Sequence, residues 1–493
     1  MFEILRFIAR FDVYIITFLT TLLWFSVFEA SMHMLQLNSY RNATHLKWLG
    51  KNIHKIYFGS KSEPKKPLVY THRVIRMTIT ALIVYLIVGA VLVSAKLHLT
   101  MPIFILFAPL FPILANVINA PIEKLNNNRY IKEAKRIINS ANENGLITIG
   151  ITGSYGKTST KYYLHKLLSA KYNVLMTPES YNTTLGVVKT IRNQLRPTHE
   201  IFICEMGMKW KGDIAEICAI VKPKHAMITS IGAQHLESMK TIENITEEKF
   251  SITDSVTSGK IFLNYDNEYI RDNAGNRVKN AENIISYGIS HSQVKYEASG
   301  ISVSEKGTKF TVYAAGGESE TFETSLIGSH NVQNIVGAIA AAHSLGVPLK
   351  ELILPVKRLE CAPHRLQIKS AGNTTIIDDS FNSNPAGAKA ALDALKIFDG
   401  VKILITPGMV ELGAESHALN KTFGEQSASS CDYALLIGKK QAPPIKEGLI
   451  AKGFNSEKIH IFDSFNEGME FAGTLAQNQK KVILIENDLP DNY

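Results

Sequence analysis

The sequence predicts an α/β protein with two successive parallel sheets, preceded by a helical region that enters a membrane. Three observations carry this reading. A β-branched apolar run, Ile147 to Ile151, ends in Gly153-Ser154-Tyr155-Gly156-Lys157-Thr158, and the polar Thr158-Ser159-Thr160 then opens a helix. From there to the end of the chain, strand-like and helix-like segments alternate, the pattern of parallel sheets with crossover helices. Ahead of them lie three long apolar stretches, one of 19 residues without a charge. The expected class is therefore α/β: a P-loop-containing central domain plus a C-terminal Rossmann-like domain, preceded by an α-helical transmembrane region.

The apolar stretches are Val13–Phe28, Met77–Ala95 and Leu99–Ile118. Met77–Ala95 is long enough to cross a bilayer unaided. Leu99–Ile118 carries Pro102, Pro109 and Pro112, which predict a kinked or re-entrant path. Val13–Phe28 is shorter and flanked by Arg10, Asp12 and Glu29; no small-residue cleavage site follows it, as a signal peptide requires. Three spans are expected, with two as the alternative. The segment 41–76 holds nine Lys/Arg against a single acid, Glu63, in a chain of net charge +9. Such a loop belongs on the cytoplasmic face. Residue 120 onward then returns to the cytoplasm, giving a multi-pass protein of the cell membrane with cytoplasmic catalytic domains. The loop is either a helix resting on anionic headgroups or a solvated connector. Membrane lipids are expected partners there; nucleic acid is not. A charged helix after Asn126–Asn128 links this region to the rest. The cysteines (Cys204, Cys218, Cys361, Cys431) form no CxxC pair and read as reduced thiols.

Glycines at a strand-to-helix turn let backbone N–H groups close around a phosphate, and the helix N-terminus adds its positive dipole. Gly153 and Gly156 supply that turn in a TGxxGKT spacing, shorter than the common GxxxxGK[ST]. Lys157 would reach the outer phosphates, with Ser159 beside it in the first turn, and the Thr158 hydroxyl would reach Mg²⁺. ATP and Mg²⁺ are thus the expected cofactors. Strands follow at Tyr172–Met176, Glu200–Glu205 and His225–Ile231, and in such a sheet ligands sit beyond the strand carboxyl ends. Glu205 and His235 both fall there, on the side of the P-loop, where a carboxylate and an imidazole are plausible Mg²⁺ ligands. Each alone is an ordinary loop residue. Residues 283–327 read as short alternating strands, a small β appendage. Farther on, Thr374–Asp379 and four later strands imply the second sheet, and Asn384 followed by Pro385 signals a helix start.

Six segments occur in an order that resembles the Mur ligase family over about residues 146–440: TGSYGKTST, EMGMKWKGDI, ITSIGAQHLE, FLNYDNE, GSHNVQN and IDDSFNSNP. The resemblance is strongest to the branch that adds D-alanyl-D-alanine to a UDP-muramoyl-tripeptide. It implies a Mur ligase central ATP-binding domain at 141–354 and a C-terminal domain at 355–493, after a membrane region at 1–140. It also implies an ATP-dependent acid–amino-acid ligase of peptidoglycan biosynthesis. Such an enzyme phosphorylates a substrate carboxylate, on a muramoyl-peptide or a lipid-linked precursor. An amine, D-alanyl-D-alanine or an amino acid, then displaces phosphate.

Carried over by position, Lys157 and Thr158 serve the phosphates and Mg²⁺, and Glu205 and His235 are metal-binding. Lys249 matches a lysine that is carbamylated and bridges a second Mg²⁺; without the resemblance it reads as a solvent ion-pairing lysine. Asn331 matches an adenine contact and is otherwise a helix N-cap; Asn182 matches a substrate-side asparagine. Arg365 faces the phosphates when domains close, and Asp379 and Asn382 hold ATP and the interdomain cleft. Two departures stand out. The tail IENDLPDNY differs from the usual C-terminus, where amine specificity lies. The membrane region stands where cytosolic members hold the UDP-sugar. The alternatives are a Mur-like ligase for another envelope or poly-amino-acid substrate, a membrane transport ATPase and an inactive scaffold. Three spans make a thin transport pathway, and intact Lys157, Glu205, His235 and Asp379 argue against a scaffold.

Overall fold

The structure, a computed structural model, describes residues 2–58, 66–95, 103–291, 293–381, 383–410 and 412–488. One compact unit ends at Arg129 and another runs from Tyr130 to Asp488.

Among the described residues three helices are long and apolar enough to cross a membrane: Thr17–Leu37, His72–Leu92 and Ile103–Glu143. The third is broken as its prolines predict, by a 3₁₀ turn at Ala108–Leu110 with Pro109 near its start. From Phe111 it runs unbroken to Glu143, so Asn126–Asn128 and the charged segment belong to the same helix and form no separate linker. Phe18, Leu22, Ile83, Leu86, Ile87 and Leu106 point outward, while Trp24 is buried between Phe28 and Tyr85, its ring centroid 5.2 Å and 4.4 Å from theirs. The basic segment holds a helix, Asn42–Phe58, that buries His45, Trp48, Leu49 and Ile56. A solvated connector would bury none of these. Lys61 and Lys65 lie outside the described residues.

In the second unit, the first sheet is built from β1 (Ile147–Thr152), β2 (Val174–Met176), β3 (Ile201–Glu205), β4 (His225–Ile228), β5 (Ile261–Asn264), β6 (Ile284–Gly288), β7 (Tyr296–Ser304), β8 (Gly307–Ala314) and β9 (Ser319–Thr324). Their order is β2-β3-β1-β4-β5-β6-β7-β8-β9. Neighbours from β2 to β7 run parallel; β7, β8 and β9 form an antiparallel meander. The expected β appendage is thus no appendage. It extends the central sheet, because Tyr287 of β6 pairs with Tyr296 of β7 and the alternating Phe310, Val312 and Phe322 join the same core as Ile149 and Ile151. Alternation on a one-sided sheet looked like a separate element, but it marks only the point where helix cover ends on one face.

β1 is the chain's organising strand. Ile149 and Ile151 face a core shared with helix Lys157–Leu168, whereas Phe202 and Cys204 of β3 face the opposite core, shared with helix Asp213–Val221. The connections leaving β1 and β3 therefore go to opposite faces. The crevice between their carboxyl ends is the switch point where α/β sheets bind ligands.

The second sheet comprises β10 (Gln367–Ala371), β11 (Thr374–Asp379), β12 (Val401–Thr406), β13 (Tyr433–Ile437), β14 (Ile459–Phe462) and β15 (Lys481–Glu486), in the order β10-β11-β15-β12-β13-β14. All neighbours are parallel except β10 with β11. Asn384 caps helix Pro385–Ile397 as the sequence signals, its side chain accepting from Gly387 N at 2.8 Å. Asn384→Ala should lower unfolding stability by about 1 kcal/mol, read as a lower denaturation midpoint in urea, and an unchanged midpoint would refute the cap's role. All four cysteines are free.

Candidate active site

The turn after β1 requires its glycines. Gly156 has φ +78°, and a Cβ there would collide with Asn334 Oδ1; a Cβ on Gly153 would collide with Thr229 Oγ1. Asn334 comes from helix Ser329–Ser344, and Thr160 Oγ1 donates to its Oδ1 at 3.3 Å. Sequence reasoning missed Asn334. It lies three residues after Asn331, a helical spacing that puts both on one face toward the P-loop helix.

Lys157 folds back onto its own loop, donating to the carbonyls of Gly153 and, at 3.2 Å, Ser154. Burial draws its pKa down to about 8; Glu205 opposes the shift and Arg365 adds to it. The cation is the form that binds phosphate, so raising the pH through 8 removes the charge before nucleotide arrives. The dissociation constant for ATP with Mg²⁺ should rise roughly tenfold between pH 7 and pH 9. Titration of a fluorescent nucleotide at each pH measures it, and a flat profile would contradict the placement of Lys157.

Register explains the next contact. β1 and β3 are neighbours, with Ile151 opposite Glu205, so the loop after β1 passes directly over Glu205. Thr158 Oγ1 donates to Glu205 Oε1 at 3.1 Å, and Asn182 Nδ2 donates to the same oxygen at 3.0 Å. Lys161 Nζ lies 3.0 Å from Oε2 and also donates to the Glu179 carbonyl. Both partners of this ion pair are fully buried. Burial alone would push the Glu205 carboxyl up. The charges of Lys161 and Lys157 and the Asn182 hydrogen bond outweigh it and hold the group below the ordinary glutamate range. Lys161 was not foreseen, although it follows Lys157 by one helical turn on the same face.

The other expected residues are placed as follows. His235 sits beyond β4 at the start of a short helix, with φ +58°. Among the described residues no three His, Cys, Asp or Glu side chains gather closely enough to hold a metal ion. Glu205 and Thr158 are brought together by the hydrogen bond between them. Their carboxylate and hydroxyl oxygens are the hard donors Mg²⁺ takes alongside water and phosphate, so this pair fits the ion.

Lys249 is not in solvent. It is 1% exposed, and its acidic neighbours turn elsewhere: Glu248 accepts from Gly212 N and Ile214 N at 2.7 and 2.9 Å, and Glu247 pairs with Lys211 at 3.0 Å. Burial, with Lys157 nearby, pushes the Lys249 amine well below its usual pKa. Asn331 is not the cap either; Gly328 is, while Asn331 accepts from Tyr163 Oη at 2.8 Å and donates to the Ile327 carbonyl at 2.9 Å. Ser159 reaches the same Tyr163 phenol.

From the second domain, Arg365 stacks its guanidinium over Phe381 at 4.5 Å and lies within the field of Asp379, Glu205 and Glu486. Burial lowers its pKa and these carboxyls raise it. It forms no ion pair with any of the three, which leaves its charge available to an anion in the cleft. Asp379 ends β11 and accepts from Leu366 N at 3.1 Å. Asn382 lies outside the described residues. A shallow groove lined by Leu146, Thr148, Cys218, Lys222 and Ser255 lies at the opposite, amino end of the strands and contains none of these groups.

A P-loop at a parallel-sheet switch point, facing an arginine from a second Rossmann-like sheet, defines an α/β nucleotide-dependent ligase architecture. Residues 151–342 match the Mur ligase middle domain and residues 364–486 the Mur ligase glutamate ligase domain. The chain belongs to the Mur ligase family, and within it is of the MurF type. It is 30% identical over 348 residues to UDP-N-acetylmuramoyl-tripeptide–D-alanyl-D-alanine ligase of Bacillus subtilis, covering 70% of this chain and 73% of that protein. Identity to the Escherichia coli ligase of the same name is 29%, over 59% of this chain and 64% of the other. A crystal structure of MurF from Acinetobacter baumannii superposes with TM-score 0.65 at 25% identity, covering 74% of this chain and 78% of that one. Residues 1–150 lie outside both domain matches.

Proposed function

We propose that the chain is a membrane-anchored ligase that uses ATP and Mg²⁺ to join D-alanyl-D-alanine, or an amino acid, to the carboxylate of a muramoyl-peptide precursor on the cytoplasmic face. The observation that carries this reading is the shared oxygen of Glu205: the P-loop threonine and Asn182 converge on it at 3.1 and 3.0 Å, at the switch point of the first sheet.

In this reading the P-loop N–H groups and Lys157 seat the nucleotide phosphates, and Thr158 and Glu205 would hold Mg²⁺. The ion, when bound, offsets charge on the transferring phosphoryl group. Lys157 and Arg365 add positive charge as the acceptor carboxylate becomes an acyl phosphate. Closure of the second domain excludes water from that intermediate until the amine attacks. Burial disfavours the charged form of Lys249, and the neutral amine is the form that takes up CO₂, which supports a carbamate there as a further Mg²⁺ ligand, with His235 as another. The three apolar helices and the positive segment 41–76 support anchoring with the catalytic unit in the cytoplasm.

The test is phosphate release by the detergent-solubilised chain with ATP, Mg²⁺ and D-alanyl-D-alanine, offering UDP-muramoyl-tripeptide or its lipid-linked counterpart. Turnover on the soluble acceptor makes this a precursor ligase with an anchor. Turnover on the lipid form alone assigns acceptor binding to the membrane unit. Silence on both, with ATP bound, would sink the substrate assignment.

A further inference from the structure

Arg365 is the cation that the ligase reading sets against the transferring phosphoryl group, and the backbone that presents it is strained. The residues on either side of it, His364 and Leu366, both lie in the left-handed region, with φ +58° and +51°. Side chains with a Cβ seldom adopt that conformation; His tolerates it better than most and Leu poorly. Such a turn persists only where its surroundings hold it.

Two successive acids of β11 do the holding. β10 and β11 run antiparallel, with Gln367 opposite Asp378. Beyond that pair the two segments stay joined: Leu366 N donates to Asp379 Oδ1 at 3.1 Å, and Phe381 N to the His364 carbonyl at 3.3 Å. Successive strand residues point to opposite faces, so Asp378 turns away from Asp379 and meets the other flank of the turn. His364 Nδ1 donates to Asp378 Oδ2 at 2.9 Å. Arg365 is therefore held from both sides, Leu366 through Asp379 and His364 through Asp378, while its own guanidinium rests on the Phe381 ring.

The His364 contact has a fixed polarity. Asp378 also accepts from Ser380 Oγ at 2.6 Å and from Lys369 Nζ at 3.3 Å. Burial would raise this carboxyl, but the hydrogen bonds from Ser380, His364 and Lys369 outweigh it and hold the group below the ordinary aspartate range. An ionised carboxylate only accepts, so His364 Nδ1 carries the hydrogen. The carboxylate is 10% exposed and the imidazole 51%, so a buried anchor holds a ring at the surface.

We propose that the His364–Asp378 hydrogen bond is a latch on the turn that carries Arg365, and that His364 is a positioning residue setting where the guanidinium meets the phosphoryl group. The inference rests on the ligase reading above, in which His364 touches no substrate. Without the latch, residue 364 relaxes out of the left-handed region and the direction of the Arg365 side chain moves with it. A shift of about 1 Å in a group aimed at a transition state removes much of its effect. Nucleotide binding relies on the P-loop and Lys157 and is spared. The fold is spared too: with His364 gone, Asp378 keeps Ser380 and Lys369, so no buried carboxylate is left alone.

The experiment compares full-length wild type, His364→Ala, His364→Asn, Arg365→Ala and the double variant His364→Ala/Arg365→Ala in detergent. Phosphate release is measured with ATP, Mg²⁺, D-alanyl-D-alanine and whichever of UDP-muramoyl-tripeptide and its lipid-linked counterpart wild type turns over. Equilibrium binding of a fluorescent ATP analogue and the melting midpoint are read on the same samples. For His364→Ala the expected result is kcat down roughly 10- to 100-fold, with KM for ATP and nucleotide Kd within about twofold and a midpoint within about 3 °C of wild type. Asparagine tolerates the left-handed region and its Nδ2 can donate to Asp378, so His364→Asn should recover most of the lost kcat. Because His364 acts through Arg365, the double variant should be no slower than Arg365→Ala. Losses that multiply in the double variant, an unchanged kcat in His364→Ala, or an asparagine variant as slow as alanine would overturn the inference. So would a collapsed midpoint in both His364 variants, which would make the contact structural. Wild type that turns over neither acceptor would instead sink the ligase reading, and this inference with it.

Discussion

Lys161→Met is expected to lower the stability of the catalytic unit by about 3–5 kcal/mol, the usual cost of leaving one member of a buried ion pair without its partner. Lys161 and Glu205 are both fully buried, 3.0 Å apart, and among the described residues Glu205 Oε2 has no hydrogen-bond donor to replace the lost ammonium. Methionine fills a similar volume, so a packing defect would contribute little. The sign of the pH dependence follows from Glu205. Its folded pKa lies below its unfolded value, so its contribution is present above the ordinary glutamate range and is lost as pH falls through the folded pKa. Wild type should therefore lose stability at acid pH more steeply than Lys161→Met, which has already lost the interaction. Urea unfolding of the detergent-solubilised protein at pH 7 and pH 4 measures both. A variant as stable as wild type at pH 7 would show that the pair is not formed.

Lys157→Ala should do the opposite. Phosphate release is expected to fall by roughly 10²–10³-fold, the scale for removing one charged group aimed at a transition state, while the fold is kept. Lys157 donates only to loop carbonyls, and burial already disfavours its charged form. The alanine variant should therefore melt at the wild-type temperature or slightly above it. Activity lost together with stability would make Lys157 a structural residue of the loop. The two lysines stand one helical turn apart, so the contrast between them separates the ion pair beneath the site from the cation that faces the substrate.

Features written within a few residues of sequence were legible. The glycine turn before Lys157, the Asn384 cap and the proline-broken third apolar helix depend on backbone conformations that Gly, Asn and Pro impose locally. The carboxyl-end placement of Glu205 and Asp379 followed from strand alternation. Less local readings failed in instructive ways. Lys249 in a Glu-rich helix looks solvated because adjacent acids suggest ion pairs, yet Glu248 caps backbone N–H groups of the neighbouring helix and the lysine turns inward. The meander β7–β9 looks like an appendage because nothing in its sequence records that β7 pairs with β6.

Chemistry, family and the boundary between apolar helices and α/β sheets were thus determined by the order of residues along the chain. Which charges meet was decided only in the folded molecule. Lys161 meets Glu205 because β3 crosses to lie beside β1, and Glu486 meets Asp379 because the last strand inserts between β11 and β12. Both pairings join residues far apart in sequence through crossover connections, and a side chain's partner then depends on strand order, which no local propensity encodes.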